Sequence, residues 1–269
     1  MSDELLVERD GPVVTVTLNR ESSLNSLSDE IHRALPETWQ SVRKDPSIRA
    51  IIITGAGTRA FCVGMDLRQN VERGGHRKRE NPDAPLKGSI GMTPLNNGVW
   101  VPTIVAVNGM CVAGGLHFVV DADIVIASTN ASFFDTHTMI GQVAALEPIG
   151  LLPRIGVGNA LRMITLGREG RLSAEDALRI SLVSEVVAPD QLMARAKELA
   201  AVAAKVSPTT YELSKRVIWD ALDVPLTDAL QHGYEVLKAH QSHPDNLEGP
   251  RAFVEKREPQ WVTTPPHGA

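Results

Sequence analysis

The residues with chemistry to offer cluster around a pair of glycines and a histidine. Gly114 and Gly115 close the stretch Asn108-Gly109-Met110-Cys111-Val112-Ala113-Gly114-Gly115-Leu116-His117. Before it runs Thr103-Ile104-Val105-Ala106-Val107, whose β-branched content reads as a short buried strand. After it, Leu116-His117-Phe118-Val119-Val120-Asp121-Ala122 can continue as a helix. Glycines at such a junction leave backbone N–H groups with no side chain in the way. A ligand oxygen that gains negative charge could be held there, and the helix dipole would add to the attraction. His117 falls in the first helical turn beside that pocket, where the dipole disfavours the imidazolium. A neutral imidazole is therefore expected, able to exchange protons near neutral pH.

The elements around this stretch point to an α/β protein. Segments 5–10 and 13–18, joined at Gly11-Pro12, read as a hairpin. Ser28 can cap a helix that carries Asp29 and Glu30 in its first turn and runs to about Arg43, with Pro36 bending or breaking it. A buried strand over 49–54 leads into Gly55-Ala56-Gly57. A dinucleotide fingerprint is disfavoured there, because no long amphipathic helix follows and the βαβ unit is missing. Short strands are expected at 123–127 and 132–134. From Ile149 the chain is mostly helical, with spacing or caps over 174–180, 190–205, 208–220, 225–239 and 246–255. Strands in the first half and helices in the second suggest one core carrying a helical C-terminal unit.

Bulk properties exclude several functions. A net charge of −5 and an aromatic fraction of 4% argue against nucleic acid as the partner. The N-terminus lacks a signal-peptide core, no stretch approaches the ~20 apolar residues of a membrane helix, and no membrane partner is expected. Cys62 and Cys111 form no spaced metal or disulfide framework, which fits a reducing, cytoplasmic setting. Segment 71–90 reads as a charged loop. Its Arg73, Arg77, Lys78 and Arg79 are candidates for ligand phosphates, although a solvated loop is the simpler account. The tail Pro265-Pro266-His267-Gly268-Ala269 carries no recognisable address.

Several segments, in this order and spacing, resemble the enoyl-CoA hydratase/isomerase family, or crotonase superfamily, from about Val7 to Trp261. They are Leu18-Asn19-Arg20 with Leu24-Asn25-Ser26-Leu27, Ile52-Ile53-Thr54-Gly55-Ala56-Gly57, and Ala60-Phe61-Cys62-Val63-Gly64-Met65-Asp66-Leu67. They continue with Val107-Asn108-Gly109 through Gly114-Gly115, then Asp123, and close with Glu248-Gly249 and Ala252-Phe253-Val254-Glu255-Lys256-Arg257. The resemblance implies a spiral of ββα units over 1–195 and a helical trimerisation region over 196–269, assembled as a homotrimer or dimer of trimers. It implies an acyl-CoA thioester substrate, with CoA part of the substrate and no separate cofactor or metal. The thioester oxygen would sit between the backbone N–H groups of Met65 and Gly114. CoA would lie along Ser23, Leu24, Val63, Asp66 and Leu67, and Lys256 would reach the phosphates bound by a neighbouring subunit.

The chain departs from that pattern at the two positions where hydratases of the family carry catalytic glutamates, which here are His117 and His137. One neutral and one protonated imidazole would supply a base and an acid. Glu147 is a further candidate for acid or base work, with a solvated or capping role as its alternative. Asp135, two residues before His137, could orient that ring. A metal held by the two histidines and a carboxylate has no motif spacing behind it, and Asp121 is expected on the helix surface or at an interface. Trp100, Phe133, Phe134 and Met139 could shape an acyl pocket, though core packing explains them as well. The expected activity is proton transfer on a thioester enolate. Its rivals are acyl-CoA hydrolysis or C–C cleavage, and binding without turnover.

Overall fold

The computed structural model describes residues 3–75 and 91–262. Strands β1 (Leu5–Asp10) and β2 (Val13–Leu18) form the expected hairpin, in register from Leu5↔Leu18 to Asp10↔Val13. Alternation in β2 buries Val14, Val16 and Leu18 on one face. β3 (Ala50–Gly55) runs parallel to β2 and is buried throughout, the mark of a strand covered on both faces. β5 (Thr103–Val107), β7 (Ile124–Ser128) and β10 (Glu185–Val187) complete a six-stranded sheet of order β1-β2-β3-β5-β7-β10.

A second sheet stacks short strands in the order β4-β6-β8-β9: Ala60–Cys62, Met110–Val112, Ser132–Phe134 and Leu172–Ser173. Each of β3, β5 and β7 passes within a few residues into a short partner and then toward a helix. Those helices are α2 (Leu67–Glu72), α3 (Leu116–Asp121) and α4 (Leu146–Leu166). This repetition is a spiral of ββα units. Four of the short strands (β4, β6, β9 and β10) went unread in the sequence, because two or three residues give no periodicity.

Helix α1 (Asp29–Lys44) begins at Ser28, whose Oγ accepts from the Ile31 N–H. It continues past Pro36 without a break, one of the two outcomes expected there, with Leu35 and Trp39 fully buried. On the opposite face of the large sheet, α6 (Leu192–Ala203) lays Leu192, Ala196 and Ala200 on Ala50, Ile52, Ile104 and Ile126. The division expected at 195/196 falls inside this helix, and we propose the turn at 204–207 as the boundary instead. Arg73 pairs with Asp29 at 2.5 Å. Arg77, Lys78, Arg79 and the 265–269 tail lie outside the described residues.

Beyond that turn come α5's successors in the helical unit: α7 (Pro208–Asp220), α8 (Leu226–His240) and α9 (Asp245–Glu255), α5 itself being the short Ala174–Arg179. One ion pair ties this unit to the core. Lys215 Nζ of α7 lies 2.8 Å from Asp123 Oδ2, which also accepts the Thr103 N–H at 2.7 Å. Lys215 is buried. Replacing it with Ala would leave a mostly buried carboxylate without its hydrogen-bonded cation, with the charge of Arg154 remaining near it, at a cost of up to about 3 kcal/mol. The expected result for Lys215→Ala is a lower urea midpoint, with proteolysis beginning in α7–α9.

Candidate active site

Two loops meet at the ends of β4 and β6. Leu27 pairs with Met65 as an isolated parallel bridge, through Leu27 N–H to Gly64 O at 2.8 Å and Asp66 N–H to Leu27 O at 3.1 Å. Because the backbone alternates, Met65's own N–H faces away from Leu27. On the other loop, Ala113 takes a left-handed φ of 48°, which for a non-glycine is a local strain that re-aims the chain. The loops touch. A Cβ on Gly64 (φ 83°) would stand 2.9 Å from Gly114 N, and a Cβ on Gly115 would stand 2.4 Å from Cys62 O. Gly114 is tight without a clash: a Cβ there would lie 3.3 Å from Gly64 Cα and 3.7 Å from Met65 N.

Three residues after Gly114, His117 projects from α3 into a buried group of titratable side chains. Its Nε2 is 3.0 Å from Oε1 of Glu147, and the same oxygen is 3.9 Å from His137 Nε2. Thus both imidazoles address one carboxylate. Glu147 sits in the first turn of α4 and is buried, so a solvated position does not describe it, while its carboxylate also takes its own backbone N–H at that helix end. Behind His137, Asp135 contacts Nδ1 with both oxygens at 3.0 and 3.1 Å and accepts the His137 N–H at 2.8 Å. Asp135 is fully buried.

The charges follow from these contacts. The Asp135 hydrogen bond raises the His137 pKa above 6.5, burial opposes it, and the Asp135 and Glu147 charges add to the rise. For Glu147, burial is the largest influence and pushes the carboxyl up. The hydrogen bond and charge of His117, its helical N–H and His137 together outweigh it, and the net value lies below 4.5. Asp135, His137 and Glu147 bring metal-ligating atom types within 4.8 Å of one another. Nδ1 of His137 is already engaged by Asp135.

The remaining site candidates divide. Ser23 is exposed at the end of the 3₁₀ turn Glu21–Ser23, and Leu24 follows it with φ 54°. Asn25 braces this loop, donating to Ala56 O and Ala60 O at 2.9 and 2.8 Å. Asp66 caps α2 and pairs with Arg20 at 3.0 Å. Val63 packs on Val112, Ala113 and Phe134, while Leu67 is exposed. Lys256 ends α9 in the helical unit, apart from these loops. Asp121, expected at the surface, is buried and accepts from Thr93 and Asn96. Of the proposed acyl-pocket residues, Trp100 lies under the Arg216 guanidinium and lines a surface pocket with Ile48, Pro102 and Tyr211 at the opposite ends of the strands, and Phe133 is core.

A two-sheet spiral of ββα units with helices following it is the crotonase class of fold. The chain belongs to the enoyl-CoA hydratase/isomerase family, whose model matches residues 8–264. It is 34% identical over 258 residues to (E)-benzylidenesuccinyl-CoA hydratase of Thauera aromatica, covering 93% of this chain and 95% of that protein. It is 34% identical to carnitinyl-CoA dehydratase of Salmonella arizonae, with 97% and 99% covered. An enoyl-CoA hydratase/isomerase from Mycobacterium paratuberculosis superposes with a TM-score of 0.86 at 35% identity, over 98% of this chain and 99% of that one.

Because His137 has a folded pKa above its unfolded value, its contribution to stability is fully present below pH 6.5 and disappears as pH rises through the folded value. The melting-temperature difference between wild type and His137→Gln is therefore expected to be largest below pH 6.5 and to shrink above it. Thermal scans across pH 5 to 9 (about the range over which histidine titrates) check this.

Proposed function

We propose that the chain is a lyase or isomerase acting on acyl-CoA thioesters, with the Met65 and Gly114 amides stabilising a thioester enolate and His117, His137 and Glu147 moving protons. One observation carries this reading: the Gly64-Met65 and Gly114-Gly115 loops abut, and the helix leaving the second loop delivers His117 to Glu147 and His137. Removing an α-proton, or adding water to the conjugated double bond, places negative charge on the thioester oxygen. Two preorganised amides favour that state over the ground state. The imidazole and carboxylate groups suit proton transfer, because Asp135 holds His137 by Nδ1 and leaves Nε2 facing Glu147.

Ser23, Leu24, Val63, Asp66 and Leu67 surround the same loops and are assigned to CoA, with Asp66 also capping α2 and holding Arg20. Lys256 is assigned to the CoA phosphates of a neighbouring subunit in a trimer or dimer of trimers. Apolar side chains left exposed on α8, including Leu226, Leu230 and Leu237, support such an assembly. Among the described residues no helix is long and apolar enough to cross a membrane. A cytoplasmic enzyme needing no cofactor beyond the CoA of its substrate fits this reading.

A second reading draws on the Asp135–His137 pair, which is of the kind that activates water. It is hydrolysis of the thioester, or of a C–C bond beside a β-carbonyl. Product analysis separates the two, since free CoA or chain cleavage appears only under the second.

Gly114→Ala is expected to fold, having no positive φ and no contact under 3.3 Å, but to fill the space beside Met65 N. Turnover should fall by about 10²–10³-fold, as for loss of an oxyanion donor, with CoA binding by calorimetry retained. Steady-state assays of His137→Ala and His117→Ala on an acyl-CoA panel test the proton-transfer roles. Wild-type rates for both variants would overturn them.

A further inference from the structure

The four buried groups are not equivalent. His137 has 15% of its side chain exposed, against 8% for Glu147 and 4% for His117. His117 therefore stands behind Glu147, as the buried Asp135 stands behind His137. Nδ1 of His137 is held by Asp135, which fixes that nitrogen as the N–H and leaves Nε2 facing Glu147. The gap from Nε2 to Glu147 Oε1, 3.9 Å, is too long for a hydrogen bond and short enough for one oxygen to touch both.

We propose, resting on the reading above and narrowing its three proton-moving groups to two, that His137 and Glu147 form the proton-transfer pair and that Asp135 and His117 are positioning residues, one behind each. The arrangement is two carboxylate–imidazole couples set head to head, with the reacting atoms between them. Charged groups facing His137 among the described residues are Asp135 from its own loop and Glu147 from α4, with His117 of α3 acting through Glu147.

The couples carry the charges needed to dehydrate a β-hydroxyacyl-CoA. Glu147, ionised, takes the α-proton, and the C–H electron pair moves onto the thioester oxygen between Met65 and Gly114. As that pair returns to form the double bond, the C–O bond at the β-carbon breaks, and the departing hydroxyl takes the His137 proton and leaves as water. Glu147 is then protonated and His137 neutral, which is the set that hydration requires. The direction of both pKa shifts agrees with the first of these states.

The test uses the full chain, with 15N-labelled histidine followed by NMR and hydration of crotonyl-CoA followed in parallel. Asp135→Asn should lower the titration midpoint of His137 and move the His137 limb of the kcat–pH profile to lower pH. It should cut kcat on the order of 10²-fold with KM little changed, and Asp135→Glu should recover part of the loss. His117→Gln should cost about 10-fold and raise the Glu147 limb, while His137→Gln and Glu147→Gln should cost on the order of 10²–10⁴-fold. An unmoved His137 titration in Asp135→Asn overturns the role of Asp135. A His117→Gln loss as large as that of Glu147→Gln, with the Glu147 limb unmoved, overturns the role of His117. The underlying reading fails separately, if His137→Gln and Glu147→Gln both exchange the α-protons of butyryl-CoA into D₂O at the wild-type rate.

Discussion

The site depends on three short parallel strands ending side by side. β4, β6 and β8 pair side by side, with Cys62 opposite Cys111 after a one-residue irregularity in β4 and Val112 opposite Phe134. The residues that follow each strand must therefore emerge from the same edge: Gly64-Met65 from the first, Gly114 and then His117 from the second, Asp135 and His137 from the third. Ligand sites at the carboxyl ends of parallel strands are a general outcome of α/β construction. Here the approach is unusually close, because the strands are only three residues long and Gly115 must fit under Cys62 O. A side chain at Gly115 would push the second loop away from the first, and the amides of Met65 and Gly114 would no longer share a space.

Close approach also sets the electrostatics. Two carboxylates and two imidazoles lie mostly buried within one cluster, which is costly unless each charge has a partner. Pairing is achieved by interleaving: Asp135 with His137, Glu147 with His117, and a longer contact between the couples. The helical unit uses the same logic once more, at Lys215 and Asp123. Low dielectric strengthens every one of these contacts, so removing one member reaches its neighbours as well.

How much of this was legible in the sequence differs by element. The hairpin, α1 and α7 carry strong local signals: alternation in Val13–Leu18, the Ser28 cap, and Pro208 at a first-turn position. The second sheet does not, since its strands are defined by pairing with distant segments rather than by their own pattern. The Met65 and Gly114 positions could be located through motif resemblance. The bond from Asp135 to His137 was an open alternative, because it depends on the loop after β8 and a side-chain rotamer. Asp121 was misplaced because a six-residue helix was treated as having a solvent face, whereas all six of its residues are buried. Pro36 leaves α1 unbroken because Leu35 and Trp39 on either side anchor the helix in the core.

The motif residues and the chemical residues turn out to be different sets. Asn25 and Asn108 both donate to Ala60 O, Asn108 also accepts the Gly55 N–H, and Arg20 reaches Ser26 and Asp66. These contacts stitch the loops that carry Met65 and the Ser23–Leu24 turn, and they would serve any reaction run through a thioester enolate. His117, Asp135, His137 and Glu147 lie outside that stitching, on α3, on the loop after β8 and on α4. A frame of this kind can be kept while the groups facing it change, so family membership leaves the proton chemistry to be read from the side chains themselves.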